Sequence, residues 1–134
     1  MANIEDIEGI GPKYGQKLKD FGLNTIEKLL EKGSTAKGRQ EIANATGISE
    51  KLILTWTNMA DLCRIKGVGP EFAELLEAAG VDTVKELRHR RADNLHAKML
   101  EVNAEKKLTR VVPNQEQIAG FIEQAKNLEP IMTY

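Results

Sequence analysis

Ile4-Glu5-Asp6-Ile7-Glu8-Gly9-Ile10-Gly11-Pro12-Lys13-Tyr14-Gly15-Gln16-Lys17-Leu18 returns in pattern as Leu62-Cys63-Arg64-Ile65-Lys66-Gly67-Val68-Gly69-Pro70-Glu71-Phe72-Ala73-Glu74-Leu75-Leu76. Each copy has two apolar residues three apart, then Gly-apolar-Gly-Pro, then an amphipathic run that opens at the proline. Gly9 and Gly67 are 58 residues apart, and the same offset joins Gly22 to Gly80, Thr25 to Thr83 and Leu29 to Leu87. A fixed period of this kind marks a duplicated structural unit.

Proline costs nothing in the first turn of a helix, where its missing donor has no intrahelical acceptor. Pro12 and Pro70 are therefore expected to open helices. The glycines before them allow a turn too tight for side chains and leave the first-turn N–H groups facing outward. Ile10 and Val68, between the glycines, are expected to point into the core. The spacing predicts a short helix, a tight turn and a second helix. Open amides at the mouth of that second helix can hold a phosphate or a carboxylate without a basic side chain.

Ile4, Ile7, Gly9, Ile10, Gly11 and Gly15, then Leu62, Ile65, Gly67, Val68, Gly69 and Ala73, match the helix-hairpin-helix pattern. The pattern is apolar-x-x-apolar-x-Gly-apolar-Gly with a small residue four further on. The chain thus resembles helix-hairpin-helix proteins, which grip the DNA backbone in the minor groove without reading sequence. The resemblance implies phosphate-facing positions at Gly9, Gly11, Gly67 and Gly69, and a weakly bound monovalent cation at a hairpin. Nearly the whole chain, with its closing Pro-x-x-x-Tyr, also resembles an uncharacterised, largely bacterial family of tandem hairpins, of the domain-of-unknown-function 4332 type. Each unit is similar to the SAM-like fold found at the C-terminal end of the bacterial RNA polymerase alpha chain. The expected fold is all-α: about ten short helices in two tandem SAM-like units, residues 1-60 and 61-134, the second with a C-terminal tail, packed as one compact module.

Ala, Leu, Glu and Lys dominate the 134 residues, and β-branched runs are absent, which favours helix. No apolar stretch is long enough to cross a bilayer, and nothing resembles a secretory signal. With a single cysteine, Cys63, no internal disulfide can form; a reduced cytoplasmic setting is the expectation. The net charge of −1 is low for a DNA binder, since phosphate contacts supply much of the affinity in that class.

Along the chain, Met1 to Asn3 are expected to be loose. Tyr14, Leu18 and Phe21 recur at helical spacing and read as core. Gly22 is expected to stop that helix, and Asn24 or Thr25 to cap the next. Residues 34–38 read as a polar loop or as an irregular helix start. One long helix from Ser49 through Cys63 is expected to close the first unit and open the second, with Trp56 as a core anchor. A later helix carries Leu95, Met99, Leu100 and Val102. Phe121, on the last helix, takes the place of Trp56 in the second copy. The tail at residues 129–134 is expected to be extended, and either to pack back on the body or to present Tyr134 to a partner.

Lys13, Lys17 and Lys19 follow the first turn. Arg64 and Lys66 precede the second, but Glu71, Glu74 and Glu77 follow it. The candidate nucleic-acid contacts are Gly9, Ile10, Gly11, Lys13, Lys17, Lys66, Gly67, Val68, Gly69, Arg88, Arg90 and Arg91, with the first turn leading because of its lysines. Arg88, His89, Arg90 and Arg91 are the one dense basic run, read either as a contact surface or as a solvated loop. Lys106, Lys107 and Arg110 could extend it. His89, His96 and Cys63 lack the spacing of a metal site, and no nucleophile–base arrangement can be drawn, so neither metal nor enzyme is expected. Two partners stay open: double-stranded DNA held non-specifically by an accessory module, or another protein docked on a scaffold. No membrane partner is expected, and the oligomeric state is not legible.

Overall fold

The computed structural model describes residues 3–134. Met1 and Ala2, part of the segment expected to be loose, lie outside the described residues. Asn3 is held: its side chain accepts the Glu5 N–H at 3.0 Å, its own N–H donates to the Asp6 carboxylate at 3.1 Å, and it bridges Thr25.

A single 3-10 turn, Ile4–Asp6, precedes α1 Gly11–Asp20, α2 Ile26–Gly33, α3 Ala36–Thr46, α4 Glu50–Leu62, α5 Pro70–Ala78, α6 Val84–Leu87, α7 Ala92–Lys106 and α8 Gln115–Asn127. These are eight α-helices and no strand among the described residues. The count falls below the expected number of about ten in part because the first hairpin helix is only the 3-10 turn, while α4 is the one long helix expected from Ser49 to Cys63. Ser49 starts α4 by accepting the Leu52 N–H at 3.2 Å. Residues 34–38 begin α3 once Thr35 caps it by accepting the Gly38 N–H at 3.0 Å.

The chain divides into two compact units. The first ends at Asp61 and is completed by Ile131–Tyr134; the second is Leu62–Pro130. Ile4, Ile7, Ile10, Leu18, Leu29, Ile42, Ile53 and Trp56 are buried in the first, and Leu62, Ile65, Val68, Leu76, Leu87, Leu95, Met99 and Ile118 in the second.

The period of the sequence is repeated in the hydrogen bonds. Ile7 donates to Ile4 O at 3.3 Å, as Ile65 does to Leu62 O at 3.1 Å. Leu23 donates to Leu18 O at 2.8 Å, as Val81 does to Leu76 O at 2.9 Å. Thr25 and Thr83 cap α2 and α6 by accepting from Lys28 N at 3.1 Å and Glu86 N at 3.3 Å. Gly22 and Gly80, at φ +90° and +95°, turn the chain out of α1 and α5 in the left-handed conformation that glycine alone adopts freely.

The first glycine of each Gly-apolar-Gly has the same requirement, and at Gly67 a close ring adds to it. Gly9 has φ +94° and Gly67 φ +100°. A methyl group on Gly9 would stand 3.6 Å from Trp56 Nε1, and one on Gly67 3.0 Å from the Phe121 ring. Trp56 and Phe121 are thus equivalent anchors, each reaching back from the closing helix of its unit to lie against the turn. Tyr14 completes the cluster in the first unit, its ring 5.2 Å from Trp56 at 57°.

The second glycines differ. Gly11 has φ +64°, whereas Gly69 sits at φ −95°, ψ −176°, an extended N-cap that any residue can adopt. The copies also diverge after α6. That helix is four residues long against eight in α2, and α7 has fifteen residues against eleven in α3. Residues 107–114 then replace the short turn 47–49.

Two core expectations are corrected. Phe21 is 38% exposed because α1 ends at Asp20, so the helical period no longer applies to it; its counterpart Ala79 is small enough to be buried. Leu100 is 47% exposed because it neighbours Met99, and consecutive helical residues point about 100° apart.

The tail was expected with residues 61-134, yet its last four residues belong to the first unit. Arg39, 5% exposed, is the reason. Its guanidinium donates to Gly33 O at 2.8 Å and Thr133 O at 2.7 Å, and lies 5.6 Å from the centre of the Tyr134 ring. Thr133 N–H donates to Ser34 O at 2.8 Å, and Tyr134 donates its hydroxyl to Asn58 Oδ1 at 3.4 Å. Burial pushes the Arg39 pKa down while Tyr134 and Glu50 oppose the shift, so the charge is kept by partners rather than by water.

The two glycines of the second turn give a paired test. Gly67→Ala should lower the unfolding free energy in urea by about 1–3 kcal/mol, from left-handed strain and displacement of the Phe121 ring. Gly69→Ala should change it by less than about 0.5 kcal/mol, since its backbone is unstrained and its surroundings are open.

Candidate functional site

The predicted contacts gather at three places. The first is the rim of the turn ahead of α1. Gly9 is exposed and Gly11 half-buried, while the Ile10 side chain is buried. Ile10 N–H donates to Ile7 O at 3.3 Å, so Ile10 braces the turn from within. No acceptor among the described residues takes the Gly11 or Lys13 amide, and α1 has no side-chain cap. Lys13 and Lys17, one helical turn apart, are exposed and form no ion pair among the described residues. Lys19 is spent: it pairs with Glu5 at 2.8 Å, over the face where Gly15 leaves no room for a methyl group.

The second place is the turn ahead of α5. Gly67 and Gly69 are exposed, Val68 is buried, and Val68 N–H donates to Ile65 O at 3.0 Å. Again no side chain caps the helix, and the Gly69 and Glu71 amides have no acceptor among the described residues. Lys66 is exposed, but its main chain is fixed in both directions by Gln124. Lys66 N–H donates to Gln124 Oε1 at 2.9 Å, and Gln124 Nε2 donates to Lys66 O at 2.9 Å. Sequence reasoning missed Gln124. It lies three residues after Phe121, where the first copy has the apolar Met59 after Trp56, so the repeat gave no cue.

Among the described helices α1, α5 and α7 start without a side-chain cap, whereas the other five have one. Thr25, Thr35, Thr83 and Asn114 each satisfy a first-turn amide of the helix they precede. At α1 and α5 proline occupies the first turn and glycine or isoleucine the cap position, so the donors stay open.

The third place is the basic run, and two of its four residues, Arg88 and Arg90, are tied to the protein's own oxygen atoms. Arg88 is half-buried and donates to Leu128 O at 2.7 Å and Ala125 O at 3.3 Å, closing the C-terminal end of α8 where carbonyls favour a cation. Its Nε is buried with no hydrogen-bond partner among the described residues. Arg90 pairs with Glu86 at 3.1 Å and donates to Gly80 O at 3.0 Å. Arg91 is exposed and pairs with Asp93 at 3.0 Å. The Asn94 amide, then Arg91, hold the Asp93 carboxyl below its usual range. The solvated-loop expectation therefore describes His89 and Arg91, both exposed, while Arg88 and Arg90 stitch the second unit together.

Among the described residues no group of three or more His, Cys, Asp or Glu could hold a metal ion. No helix among them is long and apolar enough to cross a membrane.

The molecule is thus an all-helical protein whose two copies of one glycine turn leave main-chain donors open to solvent. It belongs to the family described as Domain of unknown function (DUF4332), whose model matches residues 8–128. Comparison with curated proteins and with solved structures gave no match.

The acidic face of α5 yields a pH test. Burial, then the neighbouring Asp82, push the Glu77 carboxyl above its ordinary 4.5, and Lys106 only partly offsets them. The folded state therefore binds this proton more tightly than the unfolded chain, and the site costs stability that sets in as pH rises above the unfolded value and is complete above the folded one. Glu77→Gln should raise the thermal midpoint at pH 7, and the gain should vanish as pH falls towards about 4.5.

Proposed function

We propose that this domain is a tandem helix-hairpin-helix module, each unit SAM-like, that holds the phosphate backbone of double-stranded DNA without sequence preference. It acts as an accessory binding factor in the cytoplasm, not as an enzyme. The observation that carries the reading is the pair of uncapped helix mouths, each behind exposed glycines, with Gly11, Lys13, Gly69 and Glu71 amides lacking acceptors among the described residues. A phosphate oxygen approaching such a mouth meets main-chain N–H dipoles, with no carboxylate in the first turn of α1 and Glu71 in that of α5. The first mouth leads, because Lys13 and Lys17 stand beside it with no ion pair among the described residues. A monovalent cation held weakly by turn carbonyls belongs to the same proposal, and no other cofactor is needed.

A protein-docking scaffold is the competing reading, favoured by the net charge of −1. Salt separates the two. Fluorescence anisotropy with a short labelled duplex should give an affinity that falls linearly in log–log form as salt rises. Lys13→Ala with Lys17→Ala should make that slope shallower by about 2, one for each lost phosphate contact. Binding that ignores salt, or a double variant equal to the wild type, would overturn the reading.

A further inference from the structure

Resting on the DNA reading above, we propose that residues 107–114, the connection between α7 and α8, form a second phosphate-contacting arm that adds to the positive charge of Lys66 beside the second turn and offsets Glu71. The first copy has no counterpart: its corresponding turn is only residues 47–49. The longer connection lies against the start of α5, where Lys107, Leu108, Thr109, Arg110 and Val111 line one open cavity of about 600 Å³ with Glu71 and Phe72. Glu71 and Phe72 are the second and third residues of α5, immediately after the turn glycines.

Charge singles out this connection. Near the second mouth Glu71 repels a phosphate, and Arg88 and Arg90 are bound to carbonyls and to Glu86 elsewhere in the unit. Lys107 and Arg110 are exposed and have no ion pair among the described residues. Together they turn the rim of the cavity from one negative charge to a net positive one.

The arm is also ordered before any ligand arrives. Asn103 clasps it from α7: its Nδ2 donates to Thr109 O at 3.0 Å, and its Oδ1 accepts the Thr109 N–H at 2.9 Å. Thr109 Oγ1 donates to Val111 O at 2.9 Å. Lys107 leaves α7 in the left-handed region, at φ +53°, redirecting the chain towards α5. A pre-ordered cationic arm loses little entropy on binding, unlike lysines on a mobile loop.

The test is Lys107→Asn with Arg110→Ala; asparagine tolerates the left-handed backbone. The salt slope for duplex binding should become shallower by about 2, and the thermal midpoint should stay within a few degrees of the wild type. The swap Lys107→Arg with Arg110→Lys keeps both charges and should bind like the wild type. An unchanged slope in the charge-removing variant, alongside a reduced slope in the Lys13/Lys17 variant, overturns the arm and leaves the DNA reading standing. A wild-type chain with no salt-dependent duplex binding overturns both.

Discussion

Two peptide groups, at Gly9 and Gly67, lie against aromatic rings contributed by helices far along the chain. The rest of each unit follows from that contact. The backbone passes the ring in a left-handed conformation that disfavours any side chain, and at Gly67 the Phe121 ring also crowds the place a methyl group would take. The ring pins the turn, and the pinned turn fixes the direction of the helix that follows. Ile10 and Val68 reach inward from the same turn into the unit's apolar interior. What is left facing water is main chain alone.

The copies share this backbone but not their charge. The first turn keeps two lysines clear of carboxylates, whereas the second is followed by acidic residues and held by an amide clasp. Within the second unit arginine is used as a building material, binding carbonyls at helix ends where a cation and a partial negative charge attract. The net charge is near zero because 20 Asp and Glu balance 19 Lys and Arg; the arginines bound to carbonyls are in addition unavailable to a partner. Counting arginines overstates the charge available at the surface. The number that matters is how many are not already bound to the protein's own oxygen atoms.

Much of the fold was legible because it rests on rules with a fixed period. Ile4, Ile7, Leu18, Leu62, Ile65 and Leu76 are buried where apolar spacing put them, and Gly22 and Gly80 stop helices where glycine was expected to. Thr25 and Thr83 cap as their chemistry suggests. Periodicity misled at Phe21 because it cannot tell where a helix stops. It was silent on Arg88, Arg90, Asn103 and Gln124, whose partners are distant main-chain groups with no sequence signature. For the candidate site, the glycines and lysines could be named from the pattern. Whether their amides were already occupied could not, since that depends on which side chains fold over them.

The grip of Arg39 on the tail has a consequence for synthesis. Thr133 lies 94 positions after the guanidinium that it receives. During translation the first unit leaves the ribosome with that cation facing an unfinished site, and it waits through the whole second unit for this acceptor. The first unit gains its last four residues, Ile131–Tyr134, only after the whole of Leu62–Pro130 has been made.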